Sequence, residues 1–266
     1  MIREYCFFDS YREERSFQTT QNVVLGSELC PLKAVDSYQK KLVKAAICQG
    51  KNMRFVTPIT PQAYVNRLVK MINDLPMSTK VTFNDFGLLF ACKSIIKSKK
   101  IYPVLGRIIT RSLIDCPWFD KIIKNEEDFE DLLSLNNMTF DAKIDFLREW
   151  NINEIEVNNC PPKSLRYFHD NNILVAQYER YNLLSVSRTC FHMKMNQRSI
   201  SFCNEHMNCG STLKSVEMTS YYSNNLKLLK QSGGGEYFGH NAVVLDGNAL
   251  LIENTGFNPE IDFIIS

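Results

Sequence analysis

The feature that most constrains this chain is an alternation of short β-like runs with helix-like runs along most of its 266 residues. Eight runs, at 5–8, 22–25, 53–57, 80–84, 101–105, 154–157, 173–178 and 261–265, are rich in the β-branched and aromatic residues that suit a pleated surface. Helical periodicity lies between them. Val35, Tyr38, Leu42 and Ala46 recur at helical spacing, with Gly50 where a C-terminal cap belongs. Thr60 and Pro61 read as an N-cap and a first-turn proline ahead of the stripe Val65, Leu68, Ile72. Residues 125–135 and 140–150 give two further amphipathic stretches. Strands joined by helical crossovers make a parallel sheet or barrel. The expectation is one α/β domain over 1–266, a distorted or incomplete (β/α)8 TIM-like barrel with a cysteine-rich insertion at about 183–240. The connection 9–20 is brief and charged, and no helix follows the last strand. Apolar strand surface left uncovered would call for a partner subunit.

Composition narrows the function classes. The chain is 44% hydrophobic and 23% charged with a net charge of +2, the balance of a soluble globular protein with a sizeable core. Nothing in it demands nucleic acid or an anionic membrane. No stretch approaches the ~18 apolar residues of a membrane span, and the N-terminal MIREYCFFDSYREERS mixes both charge signs where a signal peptide needs an apolar core. A cytoplasmic chain with reduced thiols is expected.

Nine cysteines are an odd number, so a fully paired disulfide scaffold is impossible. Cys48 and Cys92 stand beside apolar residues in helical patterns and read as small hydrophobes, while Cys6, Cys116 and Cys160 lack close partners in sequence. Cys190, Cys203 and Cys209 differ, because they fall within twenty residues on a turn-rich segment. Tight CxxC knuckles of the zinc type are missing, and an iron–sulfur site accepts looser loops provided that four thiolates converge. Cys30 offers a fourth, since NVVLGSELC ends the second strand and delivers Gly26, Ser27, Glu28 and Cys30 to a barrel mouth. His192 and His206 lie in the same segment, where each can replace a cysteine or donate to a sulfur, or be a bystander; His169 and His240 suggest no role.

Other polar residues carry weaker signals. Asp85 and Glu28, both at strand ends, suit general acid/base work or substrate contact, although Asp85 equally suits a helix cap. Arg107 and Arg111, four apart after the fifth strand, would share a helix face and suit a dicarboxylate or phosphate, or simply face solvent. Arg188 beside Cys190 can favour a thiolate or bind an anion, or stand in solvent. No GxSxG elbow, HExxH helix or Cys–His pair supports a peptidase, and Gly233–Gly235 lacks the preceding strand and Lys-Ser/Thr of a phosphate loop.

Several ordered pieces together resemble one family. They are the strand ending LGSELC, the turn NDFGLL with Asn84, Asp85 and Gly87, the run Ser-x-x-Cys-Phe into Cys190 followed by Cys203 and Cys209, and the closing VVLDGNALLIENTGFNPEIDFIIS. In this order the chain resembles the collagenase-like peptidases of peptidase family U-32 nearly end to end. It departs from their pattern in a five-residue gap between the last two cysteines, in Thr189 between Arg188 and Cys190, and in lacking a C-terminal helix. The resemblance implies an oxygen-sensitive 4Fe–4S cluster on Cys30, Cys190, Cys203 and Cys209. It also implies dioxygen-independent hydroxylation of a small quinone-type or aromatic precursor, prephenate as oxygen donor, and a related subunit completing a heterodimer. Three alternatives stay open: an RNA-base hydroxylase, against which the near-neutral charge weighs; a non-catalytic iron–sulfur scaffold; and a zinc-stabilised peptidase-like module.

Overall fold

The structure, a computed structural model, describes residues 3–7, 14–98, 100–112, 135–179, 181–186, 214–216, 243–246, 249–253 and 260–265. Every expected strand occurs, with ends within two residues of the expected ones. They are β1 (Arg3–Phe7), β2 (Asn22–Gly26), β3 (Asn52–Val56), β4 (Thr79–Phe83), β5 (Ile101–Leu105), β6 (Glu154–Val157) and β7 (Leu174–Tyr178). The last expected strand, Phe263–Ile265, is the twelfth in chain order, β12.

These strands close into a barrel in the order β1–β12–β7–β6–β5–β4–β3–β2, every neighbouring pair parallel. The result is an α/β protein with a TIM-like barrel. The helices are α1 (Glu14–Thr19), α2 (Pro31–Ala34), α3 (Ser37–Cys48), α4 (Gln62–Asn73), α5 (Phe86–Ala91), α6 (Lys93–Lys97), α7 (Asp141–Glu149) and α8 (Pro162–Asp170).

The main core lies between strands and helices. Phe55, Val81, Phe83, Leu105, Ile155 and Val175 point outward to meet Leu42, Leu68, Ile72, Leu88, Leu147 and Phe168. A separate small cluster fills part of the barrel interior, with Val24, Val56, Ala176, Tyr178, Phe263 and Ile265. The period-two alternation of the strands produces this division.

Local chemistry sets the helix boundaries. Asp36 caps α3 by accepting from Gln39 N–H (2.7 Å), and Gly50 at φ +62° ends it, with Lys51 N–H donating to the Ala46 carbonyl (3.0 Å). Asn151 and Asn172 take the same left-handed position after α7 and α8. Thr60 does not cap α4 as expected: its hydroxyl donates to the Pro58 carbonyl, and Pro61 itself occupies the cap position. Cys92 and Cys160 are buried, whereas Cys48 is exposed rather than a core residue, because it closes the outer face of the last turn of α3. The expected helix at 125–135 lies outside the described residues apart from its final position.

Between β7 and β12 the chain builds a second, antiparallel sheet. Its strands are β8 (Tyr181–Val186), β9 (Lys214–Val216), β10 (Val243–Asp246) and β11 (Ala249–Glu253), in the order β8–β11–β10–β9. The closing segment therefore splits: β10 and β11 pair with each other in this sheet, and β12 alone enters the barrel. Among the described residues, no helix is long and apolar enough to cross a membrane.

Candidate functional site

Two glycines open the barrel mouth. Gly26 ends β2 at φ +96°, and a Cβ there would overlap the Val56 carbonyl oxygen. Its N–H donates to the buried Gln39 side chain (2.9 Å), and the next residue, Ser27, donates its N–H to Val56 (3.1 Å). This turn carries Glu28 inward. Gly106, after β5, abuts the Asn84 side chain so closely that a Cβ cannot fit, and there the chain turns to present Arg107.

Arg107 and Glu28 form a two-pronged, fully buried ion pair. Nε donates to Oε1 and a terminal nitrogen to Oε2, each at 2.7 Å, and the other terminal nitrogen donates to Asn158 Oδ1 at 3.3 Å. The guanidinium carbon lies 3.5 Å from the Tyr178 ring centroid. Burial works against the arginine's charge, but the Glu28 carboxylate outweighs it and holds the guanidinium pKa above its ordinary value.

Below this layer the barrel interior is charged. Glu156 accepts from Tyr178 Oη (3.0 Å), Thr82 Oγ1 (2.6 Å) and Arg54 (2.7 Å). Arg54 also pairs with Glu154, whose other oxygen meets Lys80 Nζ at 2.5 Å. The column runs from Lys80, at the strand starts and partly exposed, to Glu28 and Arg107 at the mouth. Its three carboxylates are matched by three cations. Burial pushes the Glu156 carboxyl above the usual carboxylate range against the pull of Arg54, and burial also raises the Tyr178 phenol, with Glu156 and Glu28 adding to it.

The second sheet sits against the mouth. Asn158, after β6, donates to the Leu183 carbonyl (3.0 Å) and accepts from Leu183 N–H (2.9 Å). Arg111 reaches the same carbonyl at 3.5 Å, and Leu183 packs with Leu29, Ile108 and Val186. Across the sheet, Val186 is paired with Ala249, Ala249 with Asp246, and the neighbouring Leu245 with Lys214. β8 thus ends and β9 begins at the same end of this sheet, and Val186 at that end packs with Leu29, the neighbour of Cys30. Cys190 is four residues from Val186, a reach of at most ~14 Å.

The expected site residues fall into three groups. Glu28, Arg107, Arg111 and Cys30 gather at the mouth, with Cys30 partly buried at the start of α2. Arg107 and Arg111 do not share a helix face as expected: 107–110 is a turn, because Gly106 redirects the chain and Asn84 Oδ1 accepts from Ile108 N–H (3.1 Å). Asp85 stands apart as the cap of α5, accepting from Leu88 N–H (2.9 Å) and Thr60 N–H (3.4 Å), at the edge of a cleft of about 580 Å³. Cys190, Cys203, Cys209, Arg188, His192 and His206 lie outside the described residues, as do Cys116 and His240. His169, given no role, pairs with Asp262 at 3.1 Å. Among the described residues no three His, Cys, Asp or Glu side chains form a metal-binding group, and Cys30 is the one described member of the expected ligand set.

No family model, curated protein or solved structure matches this chain.

Sequence reasoning overlooked Arg54, Lys80, Thr82, Glu154, Glu156 and Tyr178. The signal was present: KVTF and EIEV place charged or polar residues at every second strand position, which puts them on the barrel's inner face.

Proposed function

We propose that this chain is an iron–sulfur protein of the U-32 type, most similar to the accessory protein of ubiquinone biosynthesis. In this reading Cys30, Cys190, Cys203 and Cys209 hold a 4Fe–4S cluster at the mouth of a (β/α)8-type barrel with a cysteine-rich insertion. The single observation that carries it is the packing of Leu183 and Val186 against Leu29, which brings the start of the cysteine segment beside Cys30. Four thiolates supplied by loops at one strand end are the donor set that such a cluster requires. When bound, the cluster would supply redox chemistry for dioxygen-independent hydroxylation of a small quinone-type or aromatic precursor, with prephenate as oxygen donor and a related subunit as heterodimer partner. The chain's own contribution is to fix the loop: the Glu28–Arg107 pair, locked by Asn158 and Tyr178, holds the backbone that presents Cys30.

A second reading, the non-catalytic scaffold subunit, is favoured by a specific observation. Glu28, Arg107 and Asp85, the groups best suited to acid/base or substrate work, are all committed to structural bonds.

Anaerobic purification with iron, sulfide and zinc quantification tests the first reading on the wild type, Cys30→Ala and Cys190→Ala. Four irons and four sulfides per chain, lost in both variants, is the expected result. Zinc, or no metal after anaerobic reconstitution, would sink it. Asp85→Asn, Glu28→Gln and Arg107→Lys, each assayed with the cluster intact, then separate the two readings: unchanged hydroxylation by the assembled complex favours the scaffold.

A further inference from the structure

A second site lies outside the barrel, on its helix side, and borders the turn after β5 at Ile109. Between α5 and α7 is a cavity of about 370 Å³, walled chiefly by Phe86, Phe90, Met138 and Phe146. We propose that this cavity binds a small organic anion with an aromatic body, of the aryl carboxylate class.

The walls are aromatic and accessible. Phe86 is 43% and Phe90 52% exposed, a costly placement for two phenylalanines on neighbouring turns of one short helix. Edge-to-face contacts hold both rings: Phe86 against Phe146 (5.9 Å, 77°) and Phe90 against Trp150 (4.9 Å, 89°). The pocket is thus pre-formed and of a size for one or two rings.

Lys143 supplies the polar end. It lines the same cavity, and its ammonium donates to the Asn137 carbonyl on the rim. Asn137 is itself braced: its Oδ1 accepts from Arg111 N–H (3.0 Å) and its Nδ2 donates to the Ile109 carbonyl (2.8 Å). Among the described residues no carboxylate pairs with Lys143; of the three acids of α7, Asp141 is engaged by the Tyr167 hydroxyl (2.7 Å) and Asp145 by Arg148 (3.3 Å). An aromatic cage alone would suit an organic cation, but the lysine at its rim repels one and selects an anion. The site is independent of any cluster at the mouth, and so is its test.

The probe is 1-anilinonaphthalene-8-sulfonate, an aryl anion, titrated by fluorescence into the full folded chain. Its neutral counterpart is N-phenyl-1-naphthylamine. Saturation at one sulfonate per chain is expected, displaced by phenylacetate and not by benzyl alcohol. Lys143→Met should weaken the sulfonate about tenfold, equivalent to ~1.4 kcal/mol, and leave the neutral probe unchanged. Phe90→Ala, a truncation of a half-exposed ring, should weaken both probes. Sulfonate titrations of both variants that superimpose on the wild type, or binding that never saturates, would overturn the proposal. If Phe90→Ala fails to fold, the contrast between the two probes on Lys143→Met decides alone.

Discussion

Asn158 grips Leu183 by both backbone groups, donating to its carbonyl at 3.0 Å and accepting from its N–H at 2.9 Å, so one side chain stands in for a missing strand neighbour. The same Oδ1 also accepts from Arg107, which ties the small sheet, the barrel mouth and the Glu28 pair into one network.

Asn158→Ala should therefore cost about 1–3 kcal/mol, because the buried Leu183 N–H loses its partner and the carbonyl keeps only the longer Arg111 contact. Urea unfolding measures the loss. Hydrogen exchange at the Leu183 amide should rise in the variant, and an unchanged rate would contradict the bridging role.

The Glu28–Arg107 pair makes a different prediction. Removing either partner leaves a buried charge, so Glu28→Ala and Arg107→Met should each lose about 3–5 kcal/mol. The double variant should lose clearly less than the sum of the two, and a thermodynamic cycle from denaturant melts reads the coupling.

Glu156 predicts a pH dependence. Burial raises its folded carboxyl above the ordinary 4.5, so the folded state binds the proton more tightly than the unfolded chain does. The stability contributed by that proton is full below about pH 4.5 and is lost as pH rises through the folded value. Glu156→Gln removes this effect. Relative to the variant, the wild type should weaken with rising pH by up to ~1.4 kcal/mol per unit, followed by unfolding midpoints from pH 4 to 8.

The thiols should differ in reactivity. Burial pushes Cys92 up to about 12 and its side chain is inaccessible, whereas Cys48 is exposed. Alkylation followed by peptide mapping should label Cys48 in the native protein and Cys92 only after unfolding.

The barrel was legible because its signal is local and repeated. Runs such as NVVLG and IYPVL declare strands wherever they sit, and Gly50 marks the end of α3 by its φ preference, whereas the N-cap Asp36 went unread. The eight expected strands are all barrel strands, and the second sheet, β8 to β11, was not anticipated, because its short strands lack the helical crossovers that set the barrel's rhythm. The site was less legible for a related reason. Glu28 and Arg107 are distant in sequence, and their pairing depends on how Gly26 and Gly106 aim two separate turns. The alternating charges of EIEV were readable, but the cations that neutralise them come from β3 and β4.

The seam between β1 and β12 has a consequence for synthesis. Arg3 pairs with Phe263 and Tyr5 with Ile265, so the first strand made must wait for the last before the cylinder can seal. Such a distant pairing is slow to find and leaves β1 with an open flank on the growing chain. β8 to β11 need no partner from beyond residue 253. The small sheet can thus pair fully without waiting for the strand that closes the cylinder it leans on.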